Sequence, residues 1–435
     1  MSDSHKYLRK YGEPECDFWI ELKIPIHEYC LVIPAYQECY SSFKKVWRNI
    51  NANVLIIVIA NAPKPDNITN NLIKALKNIA SKSASHRNLS FLSTSNQPDI
   101  LLIERCPIPE NQGVGLARKI GADVALSMIE SGLIRTPWIF NTDADVTLPS
   151  DYFESLTEAK EYGSEHSSEH SSALIYPFNH HAPREYQDAC ALYEASLHYY
   201  VLGLRFALSP YAYPTIGSTI VINAKSYAAV RGFPTRSAGE DFYLLNKLAK
   251  VGGIQQLSRP EISIQGRLSE RVPFGTGTGI KRIMDMIDPT NDMLFYNPQA
   301  FLTLKRFLEK LNTCYETKDL ESHFSASTQS GSIIVQWCQS QKLFALIKSK
   351  QSQRQSVFYK FIQDWMDGFR TLKFIHFNRD QYFASQPWQT LFDGTVLPLL
   401  GIDGKIDIKI ERKRKPTSSD EFCSFLKDML IDGAS

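Results

Sequence analysis

The segment Asn141-Thr142-Asp143-Ala144-Asp145 follows directly on the apolar run Trp138–Phe140. Two carboxylates two residues apart at a strand end can both reach one hard divalent cation. Mg2+ or Mn2+ held there would offset the charge of a diphosphate. The same residues would also suit a solvated turn, and it is their place at a strand end that favours the metal. Gly239-Glu240-Asp241 stands at the start of a helical pattern, after Gly232-Phe233-Pro234. A carboxylate there serves as a general base when an acceptor hydroxyl comes within hydrogen-bond reach, although acids are also common in first helical turns because of the helix dipole. Arg267 and Arg271 precede Gly275-Thr276-Gly277-Thr278-Gly279. Two guanidiniums and a glycine–threonine loop could clamp a leaving diphosphate and close over a bound donor, or simply form a surface loop. The Gly-Lys-Ser/Thr ending of a Walker loop is missing.

Two further segments are candidates. In Leu31-Val32-Ile33-Pro34-Ala35-Tyr36-Gln37-Glu38 an apolar strand breaks at Pro34 into a polar turn. Gly113-Val114-Gly115-Leu116-Ala117-Arg118-Lys119 opens a helix whose amides and Arg118 could face a phosphate. The alternative is a glycine pair that lets the helix pack closely. A dinucleotide fingerprint is disfavoured, because Arg118 occupies the third glycine position and Pro107 and Pro109 intervene. His166, His170, His180 and His181 look like metal ligands, but the first two belong to a Ser/Glu repeat and lack matched spacing. The aromatic set Trp365, Phe369, Phe374, Phe377, Tyr382 and Trp388 reads as helical core, and Arg412–Lys415 as a solvated basic run.

These residues need a frame. Apolar runs at Tyr29–Pro34, Val54–Ala60, Asp99–Glu104 and Trp138–Asn141 alternate with helical patterns at Ser41–Ile50, Asn67–Ser83 and Gln112–Ser131. Near-continuous apolar strands alternating with helices imply an α/β fold with a mainly parallel sheet covered on both faces. Ligands of such sheets bind beyond the carboxyl ends of the strands, which is where Pro34–Glu38, Asn61–Asp66 and Thr142–Asp145 fall. A strand at Ala173–Pro177, a helix at Arg184–Arg205, a strand at Thr215–Ile222 and a helix from near Glu240 follow. Beyond about residue 290 only helical periodicity remains, at Leu302–Leu311, Ile333–Ile347 and Val357–Phe369. Lys405–Ile410 alternates like a short strand, and Ser418 with Glu421 fits a capping box for a last helix. The expected organisation is a polar lead-in over 1–27, a catalytic domain over 28–289, a helical domain over 290–395, and a tail with a short strand and helix over 396–435.

Bulk properties narrow the function. The 435 residues are 43% hydrophobic and 22% charged, and 48 basic against 46 acidic residues leave a net charge of +2. That balance argues against nucleic acid as a partner. Eight scattered cysteines form no Cys-x-x-Cys pair, which disfavours a zinc knuckle or redox pair. The polar start lacks the apolar core of a secretory signal, and no run approaches the length that spans a bilayer. A cytoplasmic setting is expected, with peripheral membrane contact and self-association left open.

Taken in order, Val32–Glu38, Gly113–Arg118, Asp143-Ala144-Asp145, Gly217-Ser218, Gly232-Phe233 and Glu240-Asp241 resemble glycosyltransferase family 2. The resemblance covers about residues 28–280. It implies a GT-A fold, a nucleotide-sugar donor and a Mn2+ or Mg2+ cofactor. It further implies that Pro34, Ala35, Tyr36 and Glu38 line the base and ribose. Asp143 and Asp145 would hold the ribose and the metal-bound diphosphate. Asp241 would deprotonate the acceptor with Glu240 in support, the anomeric centre would invert, and Arg118, Arg267 and Arg271 would face the donor phosphates. The family's Asp-Asp-Gly-Ser turn is replaced by Asn61-Ala62-Pro63, so Asn61 is left to meet the base. The Gln-x-x-Arg-Trp motif of processive synthases is absent. The acceptor, whether glycan, lipid-linked or small molecule, is not specified, and the C-terminal helices are expected to shape its side or to mediate self-association. Two other readings compete: a non-catalytic sugar-nucleotide sensor or scaffold, and a nucleotidyltransferase. The second would need a basic glycine-rich loop after the first strand, which Pro34–Glu38 is not.

Overall fold

The computed structural model describes residues 2–95, 98–156, 171–269, 275–325, 328–392 and 416–432. Arg271, the histidines at 166 and 170, the alternating run 405–410 and the basic run 412–415 lie outside them. The chain divides into two compact units. One comprises Met1–Ala182 and Thr215–Gly279, the other Pro183–Pro214 and Ile280–Ser435.

The first unit is built on a nine-stranded sheet. Its strands are β1 Tyr29–Ala35, β2 Val54–Asn61, β3 Lys82–His86, β4 Leu89–Ser93, β5 Asp99–Arg105, β6 Trp138–Asn141, β8 Ser171–Ile175, β10 Ile220–Asn223 and β11 Gly253–Gln256. The order is β11-β8-β10-β6-β1-β2-β5-β4-β3. Among these, β4 and β10 run against the rest. β1 and β2 pair in register from Tyr29 with Val54 to Ala35 with Ala60. Every residue of β2 is buried, as an apolar strand covered on both faces requires. The helix Gly113–Glu130 lies close against this sheet because Gly121 has no side chain. A Cβ there would meet Val32 Cγ1 at 2.4 Å. The sheet is thus the mainly parallel, helix-flanked one that the GT-A expectation required.

A second, three-stranded sheet joins β7 Val146–Thr147, β12 Ile262–Gln265 and β9 Phe178–His181 in the order β7-β12-β9. It begins immediately after Asp145 and ends two residues before Arg267, so it brings those two together.

The lead-in over 1–27 is part of the core. Helix Asp3–Tyr11 places Tyr7 so that its hydroxyl donates to Asp123 Oδ1 at 2.7 Å, as does the Tyr227 hydroxyl. Lys119 completes the set at 2.5 Å from Asp123 Oδ2. A fully buried carboxylate needs these partners, which explains why a polar segment folds here.

The second unit is helical over Pro298–Leu311, Gln329–Ser340, Leu343–Lys350, Gln355–Trp365, Gly368–Gln381 and Ser419–Asp432, with β13 Leu294–Phe295 and β14 Gln386–Pro387 as a small ribbon. It also contains helix Gln187–Phe206, expected in the catalytic domain. The reason is the apolar face of that helix. Tyr199 packs edge-on against Phe295 and Phe301, and Gly203 admits the Phe301 ring, which a Cβ would meet at 2.4 Å. Ser418 caps the last helix, accepting from Glu421 N at 3.2 Å. Among the described residues no helix is long and apolar enough to cross a membrane. All eight cysteines are unbridged.

Candidate active site

The site forms at the carboxyl ends of β1, β2 and β6. Val32 of β1 is level with Asn141 of β6, and Thr142 N donates to Val32 O at 3.1 Å. This register sets Asp143 and Asp145 beside the turn that leaves β1. Pro34 and Ala35 remain inside the strand, buried and level with Ile59 and Ala60. Tyr36 is the first residue of that segment to reach partial exposure. Gln37 turns the chain at φ 55°, and its N–H donates to Thr69 Oγ1 at 3.1 Å. Thr69 sits in the first turn of helix Asn67–Asn78, which Asp66 caps at 2.9 Å. The Tyr36–Glu38 turn is therefore tied to the helix that follows β2. At the end of β2, Asn61 is buried and its Oδ1 has no hydrogen-bond partner among the described residues. A buried acceptor left this way is costly unless a ligand meets it.

Arg118 links two of the predicted acids. Its Nη2 donates to Asp143 Oδ1 at 2.5 Å and its Nε to Glu240 Oε1 at 3.0 Å. The guanidinium is almost fully buried, and its Nη1 has no partner among the described residues. Two glycines make this geometry feasible. Gly115 lets the helix start approach the segment before Glu240, since a Cβ there would lie 2.5 Å from Arg236 N and Pro234 O. A Cβ on Gly217 would lie 2.5 Å from Arg118 Nη2. The amides of Gly113 and Gly115 are spent on Pro109 O and Arg236 O. They are thus not free to bind phosphate, and close packing is the correct reading of that glycine pair.

Arg267 makes a second bridge. It grips Glu38 through both Nη atoms, and its Nε lies 3.1 Å from Asp145 Oδ2. Gln265 N donates to Asp145 O at 3.0 Å, which fixes the spacing between these partners. Each aspartate of the Asp-x-Asp pair is thus held by an arginine that also holds a glutamate. Arg118, Arg267 and Glu38 were expected to face the donor; in this structure Arg118 engages Asp143 and Glu240, and Arg267 engages Glu38 and Asp145.

Asp241 lies in the first turn of helix Glu240–Leu248, whose preceding residue, Gly239, has φ 72°. That left-handed conformation favours glycine. Burial, and then the charge of Glu240, push the Asp241 carboxyl up to about 7. Burial also raises the Glu240 carboxyl, against the pull of Arg118. Glu240 is buried, and its Oε1 accepts from Arg118 Nε.

Five carboxylates, Glu38, Asp143, Asp145, Glu240 and Asp241, meet two guanidiniums here. The acidic surplus suits a divalent cation, and Asp143 keeps about a third of its side chain exposed (36%). Among the described residues no third His, Cys, Asp or Glu joins Asp143 and Asp145 in a compact ligand group. Two carboxylates completed by substrate phosphate and water are the usual Mg2+ arrangement, so these residues fit the group. His180, buried in β9, lies 3.2 Å from Thr276 Oγ1 through its Nε2.

No family model matches the chain, and no curated protein matches it in sequence. Among solved structures it is similar to S. aureus TarS 1–349 in complex with UDP-GlcNAc, at 11% identity over 78% of this chain and 90% of that one, TM-score 0.37. It is also similar to the mannosyltransferase PcManGT from Pyrobaculum calidifontis in complex with GDP-Man and Mn2+, at 12% identity over 87% and 92%, TM-score 0.37. A third is glucosyl-3-phosphoglycerate synthase from Mycobacterium tuberculosis with Mn2+, UDP and glucosyl-3-phosphoglycerate, at 12% over 64% and 80%, TM-score 0.33. Likeness this loose assigns no activity to the chain.

Proposed function

We propose that this chain is a glycosyltransferase that moves a sugar from a nucleoside-diphosphate donor to an acceptor hydroxyl with inversion, and that it depends on Mn2+ or Mg2+. The observation that carries this reading is the juxtaposition, at the carboxyl edge of a parallel sheet, of the Asp143/Asp145 pair with a carboxylate tuned to about 7, Asp241. Asp143 and Asp145 would hold the cation, which when bound offsets the diphosphate charge as the leaving group departs. Asn61, with its unpartnered carbonyl oxygen, accepts from the base, and Tyr36 borders the same strand ends. Arg118 and Arg267 each engage one of the two aspartates and orient it. Asp241 accepts the proton of the acceptor hydroxyl while its oxygen bonds to the anomeric carbon and the bond to the diphosphate breaks. The acceptor remains open between a glycan, a lipid-linked sugar and a small molecule.

One observation favours a second reading, a non-catalytic nucleotide-sugar sensor. Both aspartates already have internal cationic partners, Arg118 and Arg267, so the site is held together without a ligand. The deciding experiment incubates the purified chain with UDP-, GDP-, CDP- and dTDP-sugars, with and without Mn2+. It follows both binding and release of nucleoside diphosphate, alone and with simple glycoside acceptors. Metal-dependent turnover with one donor, abolished in Asp145→Ala, supports the enzyme. Tight binding with no release under any acceptor supports the sensor. Product of retained anomeric configuration would refute the inverting role of Asp241.

A further inference from the structure

The second unit contains a cluster that the sugar-transfer reading does not use. Glu194 and His198 stand one turn apart on helix Gln187–Phe206, and Cys423 reaches them from helix Ser419–Asp432. All three are buried, at 3%, 5% and 8% exposure. His198 Nε2 lies 3.4 Å from Glu194 Oε1, and Cys423 Sγ lies 3.6 Å from the same oxygen. The three donor atoms all fall within 4.8 Å of one another.

The spacing is informative. A direct hydrogen bond between an imidazole nitrogen and a carboxylate closes to about 2.8–3.0 Å, and this one is longer. In a tetrahedral zinc site, with Zn–O and Zn–N near 2.1 Å and Zn–S near 2.3 Å, neighbouring donor atoms lie about 3.3–3.6 Å apart. The two separations match those edges, and in the metal-free chain the Cys423 thiol donates across the longer one to Glu194 Oε1. A dication bound there would displace the thiol proton and meet a carboxylate, a thiolate and a neutral imidazole. The donor set is nitrogen, oxygen and sulfur, which selects a borderline ion such as Zn2+ over the oxygen-seeking Mg2+ or Mn2+.

We propose that Glu194, His198 and Cys423 form a structural Zn2+ site that ties the last helix to helix Gln187–Phe206. Binding replaces the Cys423 sulfhydryl proton, released to solvent, with a Zn–S bond, so metal uptake is accompanied by proton release. The fourth position falls to water. The site lies in a region already contacted along its length, since Gln187 Nε2 donates to Asp420 Oδ2 at 2.9 Å and Arg205 Nη1 to Leu430 O at 2.6 Å. The metal adds coordinate bonds between two helices that already pack against each other.

The test is titration of the metal-free full-length chain with Co2+ under a non-thiol reductant. A sulfur-to-cobalt charge-transfer band should saturate at one equivalent, with the strong visible bands of a four-coordinate ion, and Zn2+ should bleach both. Cys423→Ser should abolish the charge-transfer band, and His198→Gln should weaken Co2+ binding at least about tenfold. Asp145→Ala should leave the band intact, which separates this site from the carboxylate pair of the first unit. A folded wild-type chain that takes up Co2+ without any charge-transfer band overturns the proposal, as does a band that survives unchanged in Cys423→Ser. Should Cys423→Ser fail to fold, the wild-type spectrum and His198→Gln decide between the metal and a buried hydrogen-bonded triad.

Discussion

In the proposed reaction Asp241 has to be ionised when the acceptor arrives, and its surroundings set the pH at which that holds. A base raised to about 7 is protonated, and idle, below that value. Initial rates at saturating metal and donor should therefore rise with pH and level off above about 7. Asp241→Asn should keep donor affinity, lower turnover by about 10²–10⁴-fold, and flatten the acid limb; a mutant that keeps the limb removes Asp241 from the role of base. Gly217 acts at the same scale without touching substrate. In Gly217→Ala the new methyl group would press on Arg118 Nη2 from 2.5 Å. Overpacking of this kind costs about 1–3 kcal/mol and would pull the guanidinium from Asp143. Melting temperature and metal-dependent donor affinity should fall together, whereas a loss of stability with unchanged affinity would mean that the Arg118–Asp143 contact does not shape the donor site. Asn61→Ala should weaken nucleotide binding several-fold and leave pyrophosphate binding unchanged, as a calorimetric comparison of the two ligands would show.

At the scale of elements, the arginine bridges explain why strand ends and helix starts from distant parts of the chain converge. Removing one of them tests this. Arg118→Met fills similar volume but leaves Glu240 buried without its partner, and such breaks cost about 3–5 kcal/mol. The denaturant midpoint should drop accordingly, and Arg118→Met/Glu240→Gln should recover part of the loss. Sequence pattern revealed β1, β2, β5, β6 and the helix Gly113–Glu130, because each buries a continuous apolar run. It missed β3, whose residues Lys82–His86 are mostly exposed on the sheet edge and show neither apolar alternation nor a glycine turn; Arg87 makes the turn at φ 55° instead. The expected helix Asn67–Ser83 accordingly stops at Asn78. Ile333–Ile347 is two helices because Lys342 adopts φ 53°, which periodicity cannot register. The acids and arginines of the site were readable as types at strand ends and helix starts, but their pairing was not. Glu38 and Arg267 are 229 residues apart, as are Glu194 and Cys423, and only tertiary structure sets partners at that separation.

For the molecule as a whole, the change of sequence texture near residue 290 pointed to more than one compact unit, yet the division does not follow a single cut. The second unit takes residues Pro183–Pro214 from the middle of the chain, so the chain enters it twice. A fragment ending near residue 290, where the texture of the sequence changes, would keep helix Gln187–Phe206 but lose Phe295, Phe301 and Phe422, which pack with one another or with Tyr199. It would also lose Cys423, the partner of buried Glu194. A large apolar face exposed in this way drives association, so the fragment 1–290 should be aggregated or molten, with weak near-ultraviolet dichroism and strong binding of a hydrophobic dye. Truncation at the other end tests the first unit by a different route. Removing residues 1–27 strips Asp123 of Tyr7 and frees Arg105 from Glu15, held at 2.6 Å, while Tyr7→Phe removes only one hydrogen bond. The point variant should cost about 1–3 kcal/mol, in proportion to one contact to a charged group. The deletion should abolish the cooperative transition, because it exposes a buried carboxylate network together with the sheet-covering helices around it. If the deletion melts as sharply as the full chain, the segment 1–27 is an appendage after all and the core of the first unit closes without it.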